Sequence, residues 1–130
     1  MRTRREAGSA SIELVILFPA LLLLVTAVIQ YGLWFHARSL ALAAAQEGVA
    51  VARAYGSTPD AGRDTALAFV SDHGADTLTD TDAVASVPGP GHVQVVVTGR
   101  SLSVLPGAPG IAVRQSADGP VERFTTTETP

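Results

Sequence analysis

From Leu14 to Phe35 the chain reads LVILFPALLLLVTAVIQYGLWF, 22 consecutive residues without a charge. As a helix this run extends about 33 Å, enough to cross a hydrocarbon core of about 30 Å. Thr26 and Gln30 are its most polar members, and Pro19 interrupts an interior helix hydrogen bond, which membrane helices tolerate with a bend. Tyr31 and Trp34 lie near the distal end, where amphipathic rings favour the headgroup region. Arg2, Arg4 and Arg5 flank only the N-terminal side. That asymmetry predicts a single-pass protein of the cytoplasmic (inner) membrane, with its N-terminus cytoplasmic and its C-terminal part extracytoplasmic.

A secretory signal peptide is the competing reading, and Ala41-Leu42-Ala43 resembles a signal peptidase site. The apolar run is longer than the roughly 7 to 15 residues of such a segment. The cut would also fall inside a helical pattern that continues to Tyr55.

Roughly 75 to 95 residues remain for a soluble domain, a size at which one core is marginally stable. The net charge is −3, with Asp60, Asp64, Asp72, Asp76, Asp80 and Asp82 in the middle of the chain. An acidic domain without a basic stripe argues against nucleic acid as a partner. With no cysteine, disulfides, thiolate chemistry and cysteine-based zinc sites are excluded.

Glu13 stands at the mouth of the apolar run, where a carboxylate costs about 2–3 kcal/mol to carry into lipid. Before it runs Gly8-Ser9-Ala10-Ser11-Ile12. This spacing resembles the type IV prepilin processing motif: a short basic leader ending in Gly, a cut, and Glu as the fifth residue of the mature chain. The resemblance implies cleavage between Gly8 and Ser9 by a prepilin peptidase. Glycine suits such a cut, because no side chain blocks the backbone from the peptidase site. It also implies a role for Glu13, pairing with the new N-terminal amine of a neighbouring subunit and so neutralising two charges that lipid disfavours.

More of the chain resembles a TadE-like protein of the tight-adherence (Flp-type) pilus system. The carrying residues are Gly8 to Leu14, the Phe18-Pro19 pair and Ala43-Ala44-Ala45-Gln46-Glu47-Gly48. The ending Gly119-Pro120-Val121-Glu122-Arg123-Phe124 is similar to actinobacterial members. Major Flp pilins carry Tyr after the Glu and are far shorter, whereas here Leu14 follows Glu13. Ser9 likewise replaces the Phe that follows the cut in many type IV pilins. The resemblance therefore implies a minor pseudopilin, with other pilin subunits and the assembly platform as partners through the N-terminal helix.

Beyond the span, His36 to Tyr55 is free of proline and rich in helix formers. Ala44, Gly48 and Ala52 form a small-residue ridge that lets another helix approach closely. That helix is either the chain's own second helix or sheet, or a neighbouring subunit. Gly56-Ser57-Thr58-Pro59 stops the first helix and starts a second, with Thr58 as cap. The second helix is expected over Asp60–His73, with Leu67 and Val70 as anchors, Phe69 nearby and Gly74 as stop.

Asp76 to Asp82 reads as a solvated loop, lacking the calcium-loop pattern. Strands are expected over Ala83–Val87 and His92–Thr98 around a Pro88-Gly89-Pro90-Gly91 turn. Val93, Val95 and Val97 share one face of the second strand. Strand character should continue through Leu102 and Val104, with a loop at Pro106–Gly110 and a last hairpin of Ile111–Ser116 and Val121–Phe124 around Asp118-Gly119.

The expected fold is α+β and pilin-like: a long N-terminal helix, a short second helix and a small antiparallel sheet. The expected divisions are a basic leader at 1–8, a helix at 9–55 spanning the membrane over 14–35, an outer domain at 56–124 and a polar tail at 125–130. His36, His73 and His92 fall in unrelated settings, and no G-x-S-x-G motif occurs. No catalytic residue, metal ligand, cofactor or small-molecule substrate is expected. Two alternatives stay open, an unprocessed single-pass envelope protein and a secreted domain released by signal peptidase.

Overall fold

A computed structural model of the chain describes residues 3–123, with side chains from Gly8 to Arg123. Met1, Arg2, Phe124 and the tail at 125–130 lie outside the described residues, as do the side chains of Arg4 and Arg5.

The elements are α1 (Thr3–Ala52), α2 (Pro59–Gly74), β1 (Leu78–Gly89), β2 (His92–Ser101) and β3 (Ala112–Pro120). The strands form one antiparallel sheet in the order β1-β2-β3. Both helices pack on the sheet, α1 against β2 and β3 and α2 mainly against β1. The fold is α+β.

α1 is a single helix of 50 residues that continues through Pro19. At 1.5 Å per residue it is about 75 Å long. It begins before the expected Ser9 and ends three residues before Tyr55, where Arg53 to Gly56 turn the chain and Gly56 takes φ +75°. Its two halves have different surroundings. Every side chain from Gly8 to Val25 is exposed. From Ala37 onward Ala37, Ala41, Ala44, Ala45, Gly48, Val49 and Ala52 form a buried stripe.

α2 starts as its sequence requires. The Thr58 hydroxyl accepts from the Ala61 N–H at 3.2 Å, and Pro59 occupies the first turn. Its buried stripe is Gly62, Ala66 and Val70, while Leu67 and Phe69 are only partly buried. The stripe is narrow because the two backbones nearly touch. A Cβ added to Gly48 would lie 2.6 Å from the Gly62 carbonyl oxygen, 3.1 Å from Ala66 Cβ and 3.2 Å from Val95 Cγ1. The ridge is thus closed by the chain's own α2 and β2. Under the helices lie Leu78, Ala83, Val93, Val95, Val97 and Val113.

Three expectations for the outer domain are corrected. Asp76–Asp82 is not wholly a loop, because β1 already begins at Leu78, which pairs with Ser101 and is buried. The ladder breaks between Thr79 and Asp82, where Asp80 takes φ +49°, and then resumes. Leu102 and Val104 do not continue β2, because the side chain of Gln30 holds their backbone groups. Asp118-Gly119 is not a hairpin turn: β3 runs straight through it, paired with β2 from Ala112 to Pro120. Gly119 is where β3 passes under α1, and a Cβ there would lie 3.2 Å from Val49 Cγ1.

Gly48→Val should destabilise the domain by about 1–3 kcal/mol, because neither facing backbone can withdraw without opening the core. Glu47→Ala, on the exposed side of the same turn, should stay within about 0.5 kcal/mol. Thermal unfolding in detergent micelles measures both.

Candidate membrane-anchoring and assembly site

The residues of the processing motif all lie on the first turns of α1. Gly8 and Ser9 are helical and exposed, and a Cβ on Gly8 would meet nothing within 4 Å. Glu13 is exposed one turn further on, and among the described residues no salt bridge reaches it. The structure does not bring Glu13 together with the ridge. Ala44, Gly48 and Ala52 begin 31 residues later on the same helix, about 46 Å along its axis.

Between them α1 is long and apolar enough to cross a membrane. Two hydroxyls of this stretch are satisfied locally. The Thr26 hydroxyl donates to the Leu22 carbonyl at 2.8 Å, and the Ser39 hydroxyl to that of Phe35 at 2.9 Å. Such back-bonding leaves no bare hydroxyl in an apolar medium. At the distal end the rings of Tyr31 and Trp34 lie 5.8 Å apart, and the Arg38 guanidinium sits 5.6 Å from the Trp34 ring centroid. Tyr31 is exposed, whereas Trp34 packs partly against the core of the outer domain. A tryptophan with a cation on its face suits the boundary between apolar and aqueous media.

Gln30 has a role that its place in the sequence does not reveal. Its Nε2 donates to the Leu102 carbonyl at 2.9 Å, and its Oε1 accepts from the Val104 N–H at 3.0 Å. One amide side chain therefore clamps the segment after β2 onto the apolar helix. The only sequence signal was an amide in a run otherwise almost without hydrogen-bonding groups.

The histidines and aspartates assemble nothing comparable. His73 Nδ1 lies 3.0 Å from the Phe69 carbonyl, with its ring stacked on Phe69, while His92 sits beside the β1–β2 turn. The Asp82 carboxylate accepts from the Ala83 N–H at 2.8 Å and lies 3.7 Å from Arg63. Arg63 in turn donates to the Ala83 carbonyl at 2.9 Å, tying α2 to β1. Among the described residues no cluster of three or more His, Asp or Glu side chains is placed to hold a metal.

Gln30→Ala should speed hydrogen exchange at the Val104 amide by about tenfold, the equivalent of one lost hydrogen bond of about 1–1.5 kcal/mol. Exchange at Val95, in the middle of β2, should stay unchanged.

Residues 8–50 match the family model described as TadE-like protein. No curated protein and no solved structure matches the chain. The matched segment opens on Gly8, contains Glu13, the apolar run and the first two ridge residues, and ends before the sheet domain. The N-terminal helix of the chain, about a third of its length, is thus similar to TadE-like proteins.

Proposed function

We propose that the protein is a minor pseudopilin, anchored in the cytoplasmic membrane by α1 and taking part in assembly of a tight-adherence pilus or secretion apparatus. The observation that carries this reading is the family match opening at Gly8, on a helix whose apolar half is exposed on every side. A fully exposed apolar surface of this length has no stable place in water. The arginines before Gly8 favour a cytoplasmic N-terminus, leaving the sheet domain outside.

Processing separates residues 1–8 from Ser9. Because Gly8 lies within a helix, the backbone must open locally before a peptidase can take it in. Glycine makes that opening easier by about 1 kcal/mol relative to alanine. The freed amine of Ser9 then offers a charge partner for Glu13 of a neighbouring subunit. Lateral contacts fall to the exposed part of α1, residues 8–29, since the Ala44–Gly48–Ala52 ridge is already filled by α2. The role is structural, with no catalysis and no nucleic-acid or small-molecule partner.

The deciding experiment is the intact mass of the membrane-extracted protein, expressed with its prepilin peptidase. Loss of Met1 to Gly8 is the expected result. An uncut mass means a simple anchored protein, and a loss extending to about Ala43 means a secretory signal. Glu13→Ala should leave membrane insertion intact and reduce incorporation into the assembly by roughly tenfold to a hundredfold, about 1.4–2.8 kcal/mol.

A further inference from the structure

The segment from Leu102 to Ile111 is built the wrong way round for a loop in water. Leu102, Val104, Leu105 and Ile111 are 40%, 39%, 50% and 47% exposed. Several of its backbone groups are held within the protein. Gln30 takes the Leu102 carbonyl and the Val104 N–H. The Ser103 hydroxyl donates to the Leu105 carbonyl at 3.3 Å and accepts from the Leu105 N–H at 3.2 Å. The Ala108 N–H donates to the Leu105 carbonyl, and Arg100 to the Gly110 carbonyl at 3.1 Å. At the base, Ile111 exchanges hydrogen bonds with buried Ser101 through both its N–H and its carbonyl. Pro106 and Pro109 have no N–H to satisfy. Exposed apolar side chains on a segment without charge suit the boundary of a membrane better than water.

Position supports the same conclusion. Leu40 packs against Gly74, the end of α2. Gln30 lies ten residues further down α1, so the loop it holds is about 15 Å beyond the end of α2, toward the span. Phe35 ends the uncharged run, so the clamp sits about 7 Å inside it. Gln30 directly precedes Tyr31 and Trp34, whose rings favour the headgroup region, so the clamp sits at the inner edge of that layer. From Ser101 to Val113 the loop and its base carry no charge, and Arg100 and Arg114 flank them.

We propose that residues 102–111 form a second membrane contact, bedded in the interfacial layer of the leaflet on the side of the sheet domain. The inference rests on the reading that α1 crosses a bilayer. The loop continues the apolar surface of the span sideways, and Gln30 sets its depth. The occupant of this face is phospholipid. Two contacts, the span and the loop, hold the domain against rotation about α1.

The chain has no cysteine, so single nitroxide labels at Leu105→Cys, Leu23→Cys and Ser86→Cys are each unique. Leu23 reports on the span, and exposed Ser86 on β1 reports on the aqueous face. The full chain is placed in phospholipid nanodiscs, and collision of each label with oxygen and with a water-soluble nickel chelate is measured. The expected result is a Leu105 label shielded from nickel and open to oxygen, between Leu23 and Ser86 and nearer Leu23. Adding Gln30→Leu should free the loop, narrowing the Leu105 spectrum and raising its nickel contact. A Leu105 label as aqueous as Ser86, with Leu23 still in lipid, overturns the inference and leaves the membrane span standing. Aqueous behaviour at both Leu23 and Leu105 overturns the span and the loop contact together. Dipolar broadening between Leu105 labels on different copies assigns the face to a second subunit and overturns the lipid assignment.

Discussion

The sheet domain depends on how closely α1 and α2 approach at Gly48 and Gly62. With no side chain on either residue, the backbone of one helix lies against that of the other, and Ala52 and Ala66 fill the flanks. The core below consists almost wholly of alanine and valine, with buried Leu78 as its largest apolar member. Side chains so small gain little each from leaving water. Close packing compensates, because dispersion falls off within a fraction of an ångström. A domain this small has little else to spare, so the helix contact that admits no Cβ is also the one that positions the sheet.

α1 carries that contact and the apolar span on one continuous helix. No break separates the exposed apolar half from the half that packs on the sheet. The sheet domain therefore has no hinge where it meets the apolar half of α1, and its orientation follows that of the helix. Gln30 adds a second tie between the two halves of the molecule, through residues more than seventy positions away in the chain.

Much of this was legible from local chemistry. The apolar run, the stop at Gly56, the Thr58 cap with Pro59 and the inward valines of β2 all follow from short-range preferences, whereas Gly74 is the last helical residue of α2 and makes room for Leu40. Where the reading failed, a distant partner had overridden a local signal. Asp76 to Asp82 looks like solvated loop, yet Leu78, Thr79 and Asp82 are held in a ladder by β2. Asp118-Gly119 has the composition of a tight turn, but β2 continues beside it and Val49 lies close over the glycine. Leu102-Ser103-Val104 alternates like a strand, but Gln30 occupies two of its backbone groups.

Gly8, Ser9 and Glu13 lie exposed on the first turns of α1, and among the described residues nothing comes within 4 Å of a Cβ placed on Gly8. The sequence by itself determined a helix long and apolar enough to cross a membrane, the end of α1 and both ends of α2 to within three residues, and the presence of a small-residue ridge, but not the start of α1, which lies six residues before the expected Ser9. Each of these rests on length, composition or neighbours within one or two turns. Only the tertiary structure decided what fills the ridge, where β1 begins, that β3 is one strand, and that the single amide of the apolar run holds a loop. Each of those is a contact between segments far apart in the chain, whose free energy exists only once the fold has brought them together, and no local pattern encodes it.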